Sequence, residues 1–461
     1  MDHEQFDRLS RRIAGRLSRR TLAGLAGVGL VALAAAPTGV DAKKKKKTCK
    51  GELTRCSVKK GKKKKTICVN AQTDTAHCGG CGQACPGSQS CVNGECSKGA
   101  CTPDAKAVTC GSKCGEVQNN CQQTVKCGAC GCLPVSDTAV LQAAIDDADP
   151  GDTVLLCAGT WTITETLTIS DDLTLQGAGA GQTILDGGAA VRVLWIDDAD
   201  ADVEVEDLTI QRGYKSGLDN RGGGIRNDGT LSLTGVVVTD CGALWGGGIN
   251  NKGTLDLFNG TEIRGNRAEG QSGGGIDAES NSKTTLHDGS LISGNQGNSG
   301  GGIHLYGCSL TLESGSRVKA NRAIYYDGGG IYGTLATILL QDGSVVGGAG
   351  VGDGNTANNV GGGLSVSSST VTLESGSKVI GNSAVRYGAG LLMGLYGTTT
   401  LKAGSRVTGN AGGNYAGAAL AGPITVEAGA IVCDNTPLNK QCDSYYITSN
   451  CPQPASGVCP V

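Results

Sequence analysis

The sequence predicts an all-β protein that forms a parallel β-helix over most of its length, and two observations predict it. The first is a glycine-led block, Gly-Gly-Gly-Ile in its full form, that recurs roughly every 27 residues from residue 222 onward. A fixed period of this size is typical of solenoids, in which each repeat buries its apolar face against its neighbours. The blocks begin at Gly222, Gly246, Gly273, Gly300, Gly328, Gly361, Gly388 and Gly417.

The second observation is the spacing of apolar residues inside each repeat. In the repeat that starts at Gly246, Leu255 and Leu257 are two residues apart, with Ile249 before them and Ile263 after them. A spacing of two is the side-chain period of a strand, and nothing in the repeat follows the helical period. Gly, Ser, Thr, Asn and Asp fill the links and favour tight bends. Each repeat therefore predicts two or three short strands that make one coil of a stacked cylinder.

A column of asparagines supports this register. Each lies three residues after the last apolar position of a coil, where stacked side chains can hydrogen-bond along the stack and to turn backbone. The coil from Ile331 breaks the rule after Val345, where we expect an inserted loop ending at Asn359 to leave the wall. The predicted structural ladder is Asn266, Asn295, Asn321, Asn382 and Asn410, with Asp240 and Asp434 in the same column.

Three motifs carry a resemblance to a known superfamily. They are GGGIRNDGTLSL at 222–233, GGGINNKGTLDL at 246–257 and GNRA at 265–268. Residues 154–435 resemble the right-handed parallel β-helix proteins of pectate-lyase-like fold, specifically bacterial repeats of the GGGI and GN type. The blocks are also similar to the repeats of polymorphic outer-membrane proteins. The resemblance implies a right-handed coil, but it implies no single function, because the fold hosts adhesins, lyases, hydrolases and passive stalks.

Both ends of the solenoid are expected to be covered, because an open sheet edge invites pairing with other chains. The β-helix domain is placed at 133–435, and residues 138–148 form the good amphipathic helix of the mature chain, stopped by Pro150 and Gly151. This helix is the predicted N-terminal cap. Residues 436–461, rich in Cys and Pro, are the predicted C-terminal cap.

Residues 1–42 are predicted to be a twin-arginine signal peptide. Arg19 and Arg20 precede an apolar stretch, 22–36, and a small-residue cleavage site ends at Ala42. The alternative is an uncleaved anchor, but the apolar stretch is short for a bilayer. We therefore expect an extracellular or cell-surface protein, exported by the twin-arginine route, with no transmembrane segment after signal removal.

Cysteine usage agrees with export. Fifteen of the 22 cysteines lie between Cys49 and Cys132, which is too dense for a reducing cytosol and predicts disulfides. Cys157 lies across the cap helix from Cys132 and completes an even set. Cys241 and Cys308 lie inside the solenoid, too far apart to bond, and we expect both to be free and packed.

Residues 68–132 are predicted to be a cysteine-rich disulfide module. The segment CVNAQTDTAHCGGCGQACPGSQSCVNGEC at 68–96 resembles the repeat of Stig1-like secreted proteins, which implies a scaffold without catalytic residues. Zinc is the alternative, because Cys78 and Cys81, and likewise Cys127 and Cys130, have ligand-like spacing.

Charge divides the chain into a basic and an acidic part. Residues 43–132 hold 17 Lys and Arg against 5 Asp and Glu, whereas residues 133–461 hold 17 against 33. The Lys-rich segment 43–67 is predicted to be a basic linker, either a solvated tail or an electrostatic tether to acidic polysaccharide or cell-wall polymer. Nucleic acid is not expected as a partner in vivo because the protein is exported, and a monomer is expected.

The sequence assigns no catalytic residue. The Asn-Thr-Asp, Gly-Asp-Asp, His-Gly and Arg-Ile-Lys signatures of β-helix hydrolases do not occur in it. Paired carboxylates on adjacent coils could still form a site, and the best set is Asp277 and Glu279, with Arg264 and Arg267 nearby.

No cofactor is expected, and Ca²⁺ is the one alternative. Asp198, Asp200 and Asp202 alternate as in a calcium loop. Val203 stands where the turn glycine of such a loop belongs, so a solvated acidic bend is the competing interpretation.

Several of the few aromatic residues precede a glycine block and would form a broken stripe along the solenoid. Ring faces can stack on sugars and nearby arginines can pair with uronate, although the rings could also merely shield turns. The sequence thus predicts a surface protein that is adhesive, glycan-contacting or structural. The alternatives are a polysaccharide lyase or glycoside hydrolase and a passive envelope spacer. The predicted glycan-binding residues are Trp245, Tyr326, Tyr387, Tyr415, Arg322 and Arg386.

Overall fold

The computed structural model describes residues 53–60, 63–85, 90–92, 95–97, 116–118, 124–126, 131–217, 219–270, 273–414, 416–421, 423–436 and 442–444. The predicted signal peptide 1–42, Tyr415 and most of the predicted cap 436–461 lie outside these residues. The chain divides into two compact units, Met1–Thr102 and Pro103–Val461.

The second unit contains a parallel β-solenoid, as the repeats predict. Each coil contributes one strand to a first, a second and a third sheet, which have 11 strands each. From Tyr214 onward, a short strand of a fourth, eight-stranded sheet lies between the second and third strands of the coil. Every strand pairs with its equivalents in neighbouring coils, so equivalent positions stack along the axis.

The strands of each sheet follow the chain. The first sheet contains Asp152–Leu155, Leu173–Gln176, Asp202–Glu206, Thr230–Thr234, Thr254–Leu257, Lys283–Leu286, Ser309–Leu312, Thr337–Leu340, Thr370–Leu373, Thr398–Leu401 and Ile424–Val426. The second contains Gly159–Thr162, Thr183–Asp186, Thr209–Gln211, Val237–Thr239, Glu262–Arg264, Leu291–Ser293, Arg317–Lys319, Val345–Gly347, Lys378–Ile380, Arg406–Thr408 and Ile431–Cys433. The third contains Leu167–Ile169, Leu194–Ile196, Ile225–Asn227, Ile249–Asn251, Ile276–Ala278, Ile303–Tyr306, Ile331–Thr334, Leu364–Ser367, Leu391–Met393, Ala418–Leu420 and Cys442–Ser444. The fourth contains Tyr214–Lys215, Gly242–Ala243, Arg267–Ala268, Gln296–Gly297, Arg322–Ala323, Thr356–Ala357, Ser383–Tyr387 and Ala411–Asn414.

Alternation along the strands places the predicted apolar residues inside the cylinder. In Thr254–Leu257, the two leucines are buried and the residues between and before them are partly exposed. Ile249, Leu257 and Val318 are each 0% exposed, which confirms the stacked aliphatic core. Full burial of such a side chain contributes roughly 1.5–3 kcal/mol, so the core is the main source of stability.

The glycine blocks allow close approach between coils where the third sheet begins. Gly246 has a φ of +63°, a conformation that glycine adopts without strain. A Cβ on Gly247 would collide with the backbone of Arg267 in the next coil. The block therefore marks the corner at which each third-sheet strand starts.

Asparagine side chains form a continuous ladder between the second and fourth sheets. The Nδ2 atom of Asn295 donates to Asn321 Oδ1 at 3.0 Å and to the carbonyl of Ile263 at 2.8 Å. The backbone N–H of Asn295 donates to the same Oδ1 atom. Each rung thus satisfies buried backbone groups that the bend would leave unpaired. The rungs are Asn266, Asn295, Asn321, Asn355, Asn382, Asn410 and Asn435.

The ladder differs from the predicted column at its two ends. Asp240 and Asp434 lie one residue before the rung position, with φ of +55° and +51°. Cys241 and Asn435 occupy the rung positions, because the N–H of Cys241 donates to Asn266 Oδ1 and Asn435 Oδ1 accepts from the Nδ2 atom of Asn410, the preceding rung. The residue before a rung has a positive φ in every case except Gly354, and aspartate tolerates this conformation better than most residues.

The inserted loop leaves the wall where the sequence predicts it, but it returns earlier. Residues 348–354 form turns outside the strands, and Val351 is fully exposed. The chain rejoins the ladder at Asn355, whose Nδ2 donates to Asn382 Oδ1 at 2.9 Å, rather than at Asn359.

Helix α1, Thr138–Asp146, covers the first coil as predicted. Leu141 and Ile145 point into the core. The side-chain amide of Gln142 bonds to both backbone groups of Thr168 at 2.8 Å each. That amide takes the place of a neighbouring strand, so part of the open edge of the third sheet is satisfied. In the described part of the chain, no helix has the length and apolar character that crossing a bilayer requires.

Four described cysteines of the second unit agree with the sequence predictions. Cys132 and Cys157 form a disulfide that ties the segment before α1 to the first coil. Cys241 and Cys308 are free and buried. A short antiparallel pair, Glu116–Gln118 with Thr124–Lys126, precedes the solenoid.

The first unit is a small disulfide-linked module. Its hairpins pair Thr54–Lys60 with Lys63–Val69, and Ser90–Val92 with Glu95–Ser97, both antiparallel. The segment 43–67 is therefore more ordered from Thr54 onward than the predicted linker. The disulfides of this unit include Cys56–Cys81, Cys78–Cys91 and Cys85–Cys96.

These disulfides exclude one of the two predicted zinc-binding cysteine pairs. Cys78 and Cys81 each form a disulfide with another cysteine, so neither offers a thiolate to zinc. Cys127 and Cys130 lie outside the described residues.

Candidate functional site

An outward-facing row of polar and aromatic side chains crosses the third sheet. Strand pairing sets Asn250 beside Asp277, Asp277 beside His304 and His304 beside Tyr332. Because neighbouring parallel strands lie about 4.8 Å apart, these residues form one row along the solenoid axis. We call this row the floor.

Two walls flank the floor and enclose a groove of about 830 Å³. The first wall comes from the turns that precede the glycine blocks, and the second comes from the ends of the third-sheet strands. The first wall contains Arg221, Trp245, Ser299, Tyr326 and Asp327. The second wall contains Lys252, Glu279, Ser280, Tyr306 and Thr334.

Asp277 and His304 form a hydrogen-bonded pair in the floor. The Nδ1 atom of His304 lies 2.8 Å from Asp277 Oδ1. Because an ionised carboxylate can only accept, Nδ1 carries the proton and a neutral ring keeps Nε2 as an acceptor. Asp277 is 2% exposed, whereas the His304 side chain is 14% exposed. The imidazole is therefore the member of the pair that a ligand in the groove can reach.

Two neighbours fix the orientation of this pair. The ring of Tyr332 stacks on the imidazole, with centroids 5.4 Å apart and planes inclined by 6°. The Nδ2 atom of Asn250, which is fully buried, donates to Asp277 Oδ2 at 3.0 Å and to Glu279 Oε1 at 2.8 Å. One amide thus positions both carboxylates.

Two cations lie in the groove beside one accessible carboxylate. Arg221 donates to Glu279 Oε1, and its guanidinium carbon lies 6.0 Å from the ring centroid of Trp245. Lys252 Nζ lies 3.9 Å from Glu279 Oε2. Burial lowers the pKa of Lys252, and repulsion from Arg226 adds to the effect. Arg221 and Lys252 are thus the groups of the groove with which an anionic ligand can pair, in competition with Glu279.

A buried arginine fixes the first wall. Arg192, 2% exposed, donates through Nη2 to the carbonyl of Arg221 at 2.7 Å and to Asp219 Oδ2 at 2.7 Å. Burial lowers the pKa of Arg192, which the contact with Asp219 opposes. The backbone that carries Arg221 is therefore anchored from inside.

The predicted aromatic stripe is only partly assembled in this groove. Trp245 and Tyr326 line it. The backbone of Trp245 forms an isolated parallel β-bridge with Arg221. The backbone of Tyr387 forms the same kind of bridge with Val360, several coils later.

The remaining predicted glycan-binding residues lie elsewhere or are not described. Arg322 and Arg386 are exposed on fourth-sheet strands and do not line the groove, and neither does Tyr387. Tyr415 lies outside the described residues.

The candidate carboxylates Asp277 and Glu279 do lie together in the groove, but the arginines expected beside them do not. Arg264 is exposed on the second sheet and pairs with Glu262 at 3.1 Å. Arg267 is an exposed residue of the fourth sheet. Arg221 takes their place, because the turn before its glycine block lies beside the third-sheet strands.

The alternating aspartates do not converge on a common point. Asp198 Oδ1 accepts the backbone N–H of Asp200 at 2.8 Å, and the N–H of Asp202 donates to Asp172 at 2.9 Å. These contacts are those of an acidic bend.

One cluster of three potential ligand side chains is found among the described residues. It consists of Cys78, Cys85 and Cys96, which are disulfide-bonded. Asp198, Asp200 and Asp202 do not form such a cluster.

Sequence reasoning missed His304, Tyr332 and Asn250, although a signal for them is present. Each stands four residues after the first glycine of its block, as does Asp277. When the repeats are aligned on that glycine, the residue four places after it is the one that follows the block. In successive repeats this residue is Arg226, Asn250, Asp277, His304 and Tyr332, which is the row along the third sheet.

Comparisons with known proteins concern the fold. No protein-family model and no curated protein sequence matches the chain. The A-module of mannuronan C-5 epimerase AlgE6 from Azotobacter vinelandii is similar at 17% identity and a TM-score of 0.33, over 65% of this chain and 94% of that one. The A-module of AlgE4 from the same organism is 15% identical, with a TM-score of 0.39, over 67% and 96%. A mannuronic acid specific polysaccharide family 6 lyase from human gut microbiota is 10% identical, with a TM-score of 0.27, over 69% and 92%. The strand pairing shows a parallel β-solenoid, and its structural neighbours include proteins that act on polysaccharides.

Proposed function

We propose that this chain is an exported enzyme that removes a carbon-bound proton from a uronate residue of an acidic polysaccharide. The observation that carries the proposal is the Asp277–His304 pair, in which a buried carboxylate holds an accessible imidazole in a groove that also contains cations. A positioned imidazole with a pKa near neutrality is the usual general base of enzymes.

The two cations of the groove indicate that the substrate carries a carboxylate. A proton on the carbon next to a carboxylate is removable only if the negative charge that develops is stabilised. Arg221 and Lys252 lie in the same groove and can hold the uronate carboxylate in place of, or beside, Glu279. His304 Nε2 then takes the proton, and Asp277 stabilises the imidazolium that forms.

The hydrolase alternative has weaker support from the same residues. Glycoside hydrolysis needs two carboxyl groups that both reach the scissile bond. Asp277 is 2% exposed, and its two oxygens face Asn250 and His304. Only Glu279 is accessible of this pair, so Asp277 and Glu279 do not supply the two carboxyl groups that a hydrolase needs.

Glycan contact by aromatic residues remains part of the proposal. Trp245 and Tyr326 line the groove and can stack on sugar rings on either side of the reacting residue. If the protein binds without reacting, these two rings and Arg221 would still form a glycan-binding site. That is the second candidate function, and it corresponds to an adhesive surface protein.

Export and anchoring complete the proposal. The twin-arginine segment and the cysteine content support transport across the membrane and folding in an oxidising compartment. The Lys-rich segment 43–67 supports a tether to anionic cell-wall polymer or to the substrate itself. A tether of this kind should release near molar salt, because screening is then nearly complete.

Hydrogen exchange at carbon tests the enzymatic proposal. The mature protein, residues 43–461, is incubated in D₂O with uronate polysaccharides and with neutral polysaccharides as controls. Deuterium incorporation at the carbon beside the carboxylate is followed by NMR, and ultraviolet absorbance reports an unsaturated uronate. We expect incorporation with at least one uronate polymer, lost in His304→Ala and retained in His287→Ala, whose ring lies on another face of the solenoid.

Two results would contradict it. Wild-type protein that binds a uronate polymer without deuterium incorporation would support the adhesive candidate instead. Equal incorporation by wild type and His304→Ala would show that His304 is not the base.

A further inference from the structure

We infer that Asp327 is a proton donor in the same groove, so that the reaction at His304 ends in cleavage of the sugar chain rather than in return of the proton. This inference rests on the proposed function. It adds a second catalytic residue, and it assigns the reaction class as elimination across a 1,4-linked uronate.

The position of Asp327 is the first argument. It belongs to the first wall, directly before the glycine block whose third-sheet strand carries Tyr332. Its backbone carbonyl accepts from Gly300, at the start of the block that carries His304. Asp327 and His304 therefore flank the groove on neighbouring coils, one on the wall and the other on the floor.

The partners of Asp327 are the second argument. Asn359 Nδ2 donates to its Oδ1 atom at 2.7 Å, and the backbone N–H of Val360 donates to the carboxylate as well. Neither partner is charged. The other groove carboxylates differ, because Glu279 pairs with Arg221 and Asp277 faces His304.

The direction of the pKa shift of Asp327 agrees with its uncharged surroundings. Half-burial raises the pKa of Asp327, and the hydrogen bonds from Asn359 and Val360 oppose the rise only in part. A carboxyl group with a raised pKa, in the same cleft as an imidazole base, is the pattern of an acid–base pair. The other titratable groups of the groove are Arg221, Lys252, Asp277, Glu279, His304, Tyr306, Tyr326 and Tyr332.

The chemical step balances with these two residues. His304 Nε2 takes the proton from C5, and the electron pair of the broken C5–H bond forms a double bond between C4 and C5. The bond from C4 to the linking oxygen breaks, and that oxygen takes the proton of the Asp327 carboxyl. The products are a free hydroxyl on one chain and an unsaturated uronate on the other. Water then returns the proton of His304 to Asp327, and no oxidant or reductant is needed.

Asp327→Asn is the informative variant, because its side-chain oxygen can still accept from Asn359 while it has no acidic proton. Tyr326→Phe tests the neighbouring hydroxyl as the rival donor, and Asp342→Asn is a charge-matched control at an exposed site outside the groove. For each variant, cleavage is followed by the absorbance of the new double bond, and proton removal is followed by deuterium exchange at C5. Thermal unfolding checks that the fold is intact.

The expected result is a split between the two readouts. Asp327→Asn should lose cleavage by about 100-fold or more, the usual contribution of a general acid. It should keep exchange at C5, and the alkaline limb of the pH–rate profile for cleavage should disappear. Tyr326→Phe and Asp342→Asn should retain that limb.

Four results would overturn the inference. Unchanged cleavage in Asp327→Asn, or loss of the alkaline limb in Tyr326→Phe instead, would remove Asp327 as the donor. Equal loss of exchange and cleavage in Asp327→Asn would indicate a positioning role. Wild-type protein without exchange or cleavage on any uronate polymer would end the proposed function together with this inference, whereas an active wild type with a normal Asp327→Asn variant would end this inference alone.

Discussion

The Nδ1 atom of His304 lies 2.8 Å from an oxygen of Asp277, a residue 27 positions earlier in the chain. That separation is one repeat, so the two side chains meet because consecutive coils stack in register. A solenoid can therefore assemble a hydrogen-bonded pair from single residues of successive repeats. The repeat length sets which side chains meet, and the walls set how far they are buried.

Asp277→Asn should impair the base without removing it. An asparagine at this position can donate to His304 Nδ1 and so favours the tautomer with the proton on Nε2, which cannot accept. We expect the rate of C5 exchange to fall by about 10²–10⁴-fold, the range of a general base. Asp256→Asn is the matched control, because Asp256 contacts His287 on the outer face of the first sheet. A normal rate in Asp277→Asn would mean that Nε2 is not the reacting atom.

The groove cations should act on substrate affinity and charge selectivity. Arg221→Gln removes a guanidinium that lines the groove, and a single charge-assisted hydrogen bond contributes about 1.5–3 kcal/mol. We therefore expect the dissociation constant for a uronate oligosaccharide to rise by about 10-fold or more, with little change for a neutral oligosaccharide. Arg267→Gln removes an exposed arginine outside the groove and should leave binding unchanged. Isothermal titration calorimetry at two salt concentrations measures both variants, and equal effects would exclude a specific role for Arg221.

The fold follows from local patterns that the sequence displays directly. Residues two apart, such as Leu255 and Leu257, identify strands, and the glycine blocks give the period, so the inward-facing residues could be named in advance. The asparagine column was predictable within one residue. The pattern assigns Asp240 and Asp434 to the rung itself, although each lies one residue before it, because the positive φ that precedes most rungs is a backbone feature that residue type only hints at.

The site was harder to predict because it depends on relations between coils. Asp277 and Glu279 were identified as a pair, but Arg221 belongs to a turn two blocks earlier and was not connected to them. His304 is followed by Leu305 and not by the glycine of the His-Gly signature, so that signature does not select it. Burial decides the roles here, since Asp277 is enclosed and His304 is not, and burial on the outside of a solenoid comes from turns whose paths the repeat pattern does not give.

The asparagine ladder should make a large contribution to stability at each rung. Asn321 is fully buried, and its Oδ1 atom accepts from both the backbone and the side chain of Asn295. Asn321→Ala leaves these two donors unpaired in the interior, and we expect the free energy of unfolding to fall by about 2–4 kcal/mol. Asn298→Ala, which removes an exposed contact to Glu269, should cost less than about 0.5 kcal/mol. Guanidinium unfolding compares the two, and similar midpoints would argue against the ladder as a stabilising element.

The free cysteines should be inert in the native protein. Burial raises the pKa of Cys241 to about 12 and that of Cys308 to about 11. Since the thiolate is the reactive form, neither should be alkylated by iodoacetamide at neutral pH. Mass spectrometry should locate the label on both after unfolding in denaturant without reductant. Labelling of Cys241 before unfolding would contradict its position in the core.

His287 should make the stability of the fold depend on pH. Its Nδ1 atom lies 2.8 Å from Glu313 and its Nε2 atom 3.3 Å from Asp256, and its ring stacks on Phe258 at 4.2 Å. A ring with a carboxylate at each nitrogen can donate to both only when it is protonated. Burial alone would lower the pKa of His287, but the hydrogen bonds to Asp256 and Glu313 raise it above 6.5.

The direction of the pH effect follows from that raised pKa. A group whose pKa is higher in the folded state stabilises the fold fully below its unfolded value, about 6.5, and this contribution is lost as the pH rises through the folded value. Asp256 behaves in the opposite sense, because although burial would raise its pKa, the contact with His287 lowers it, so its contribution is lost only in acid. We expect the unfolding free energy of wild type to decrease between neutral and alkaline pH by more than that of His287→Gln. Denaturant titrations at several pH values measure this difference, and parallel curves for the two proteins would mean that the imidazolium does not bridge these coils.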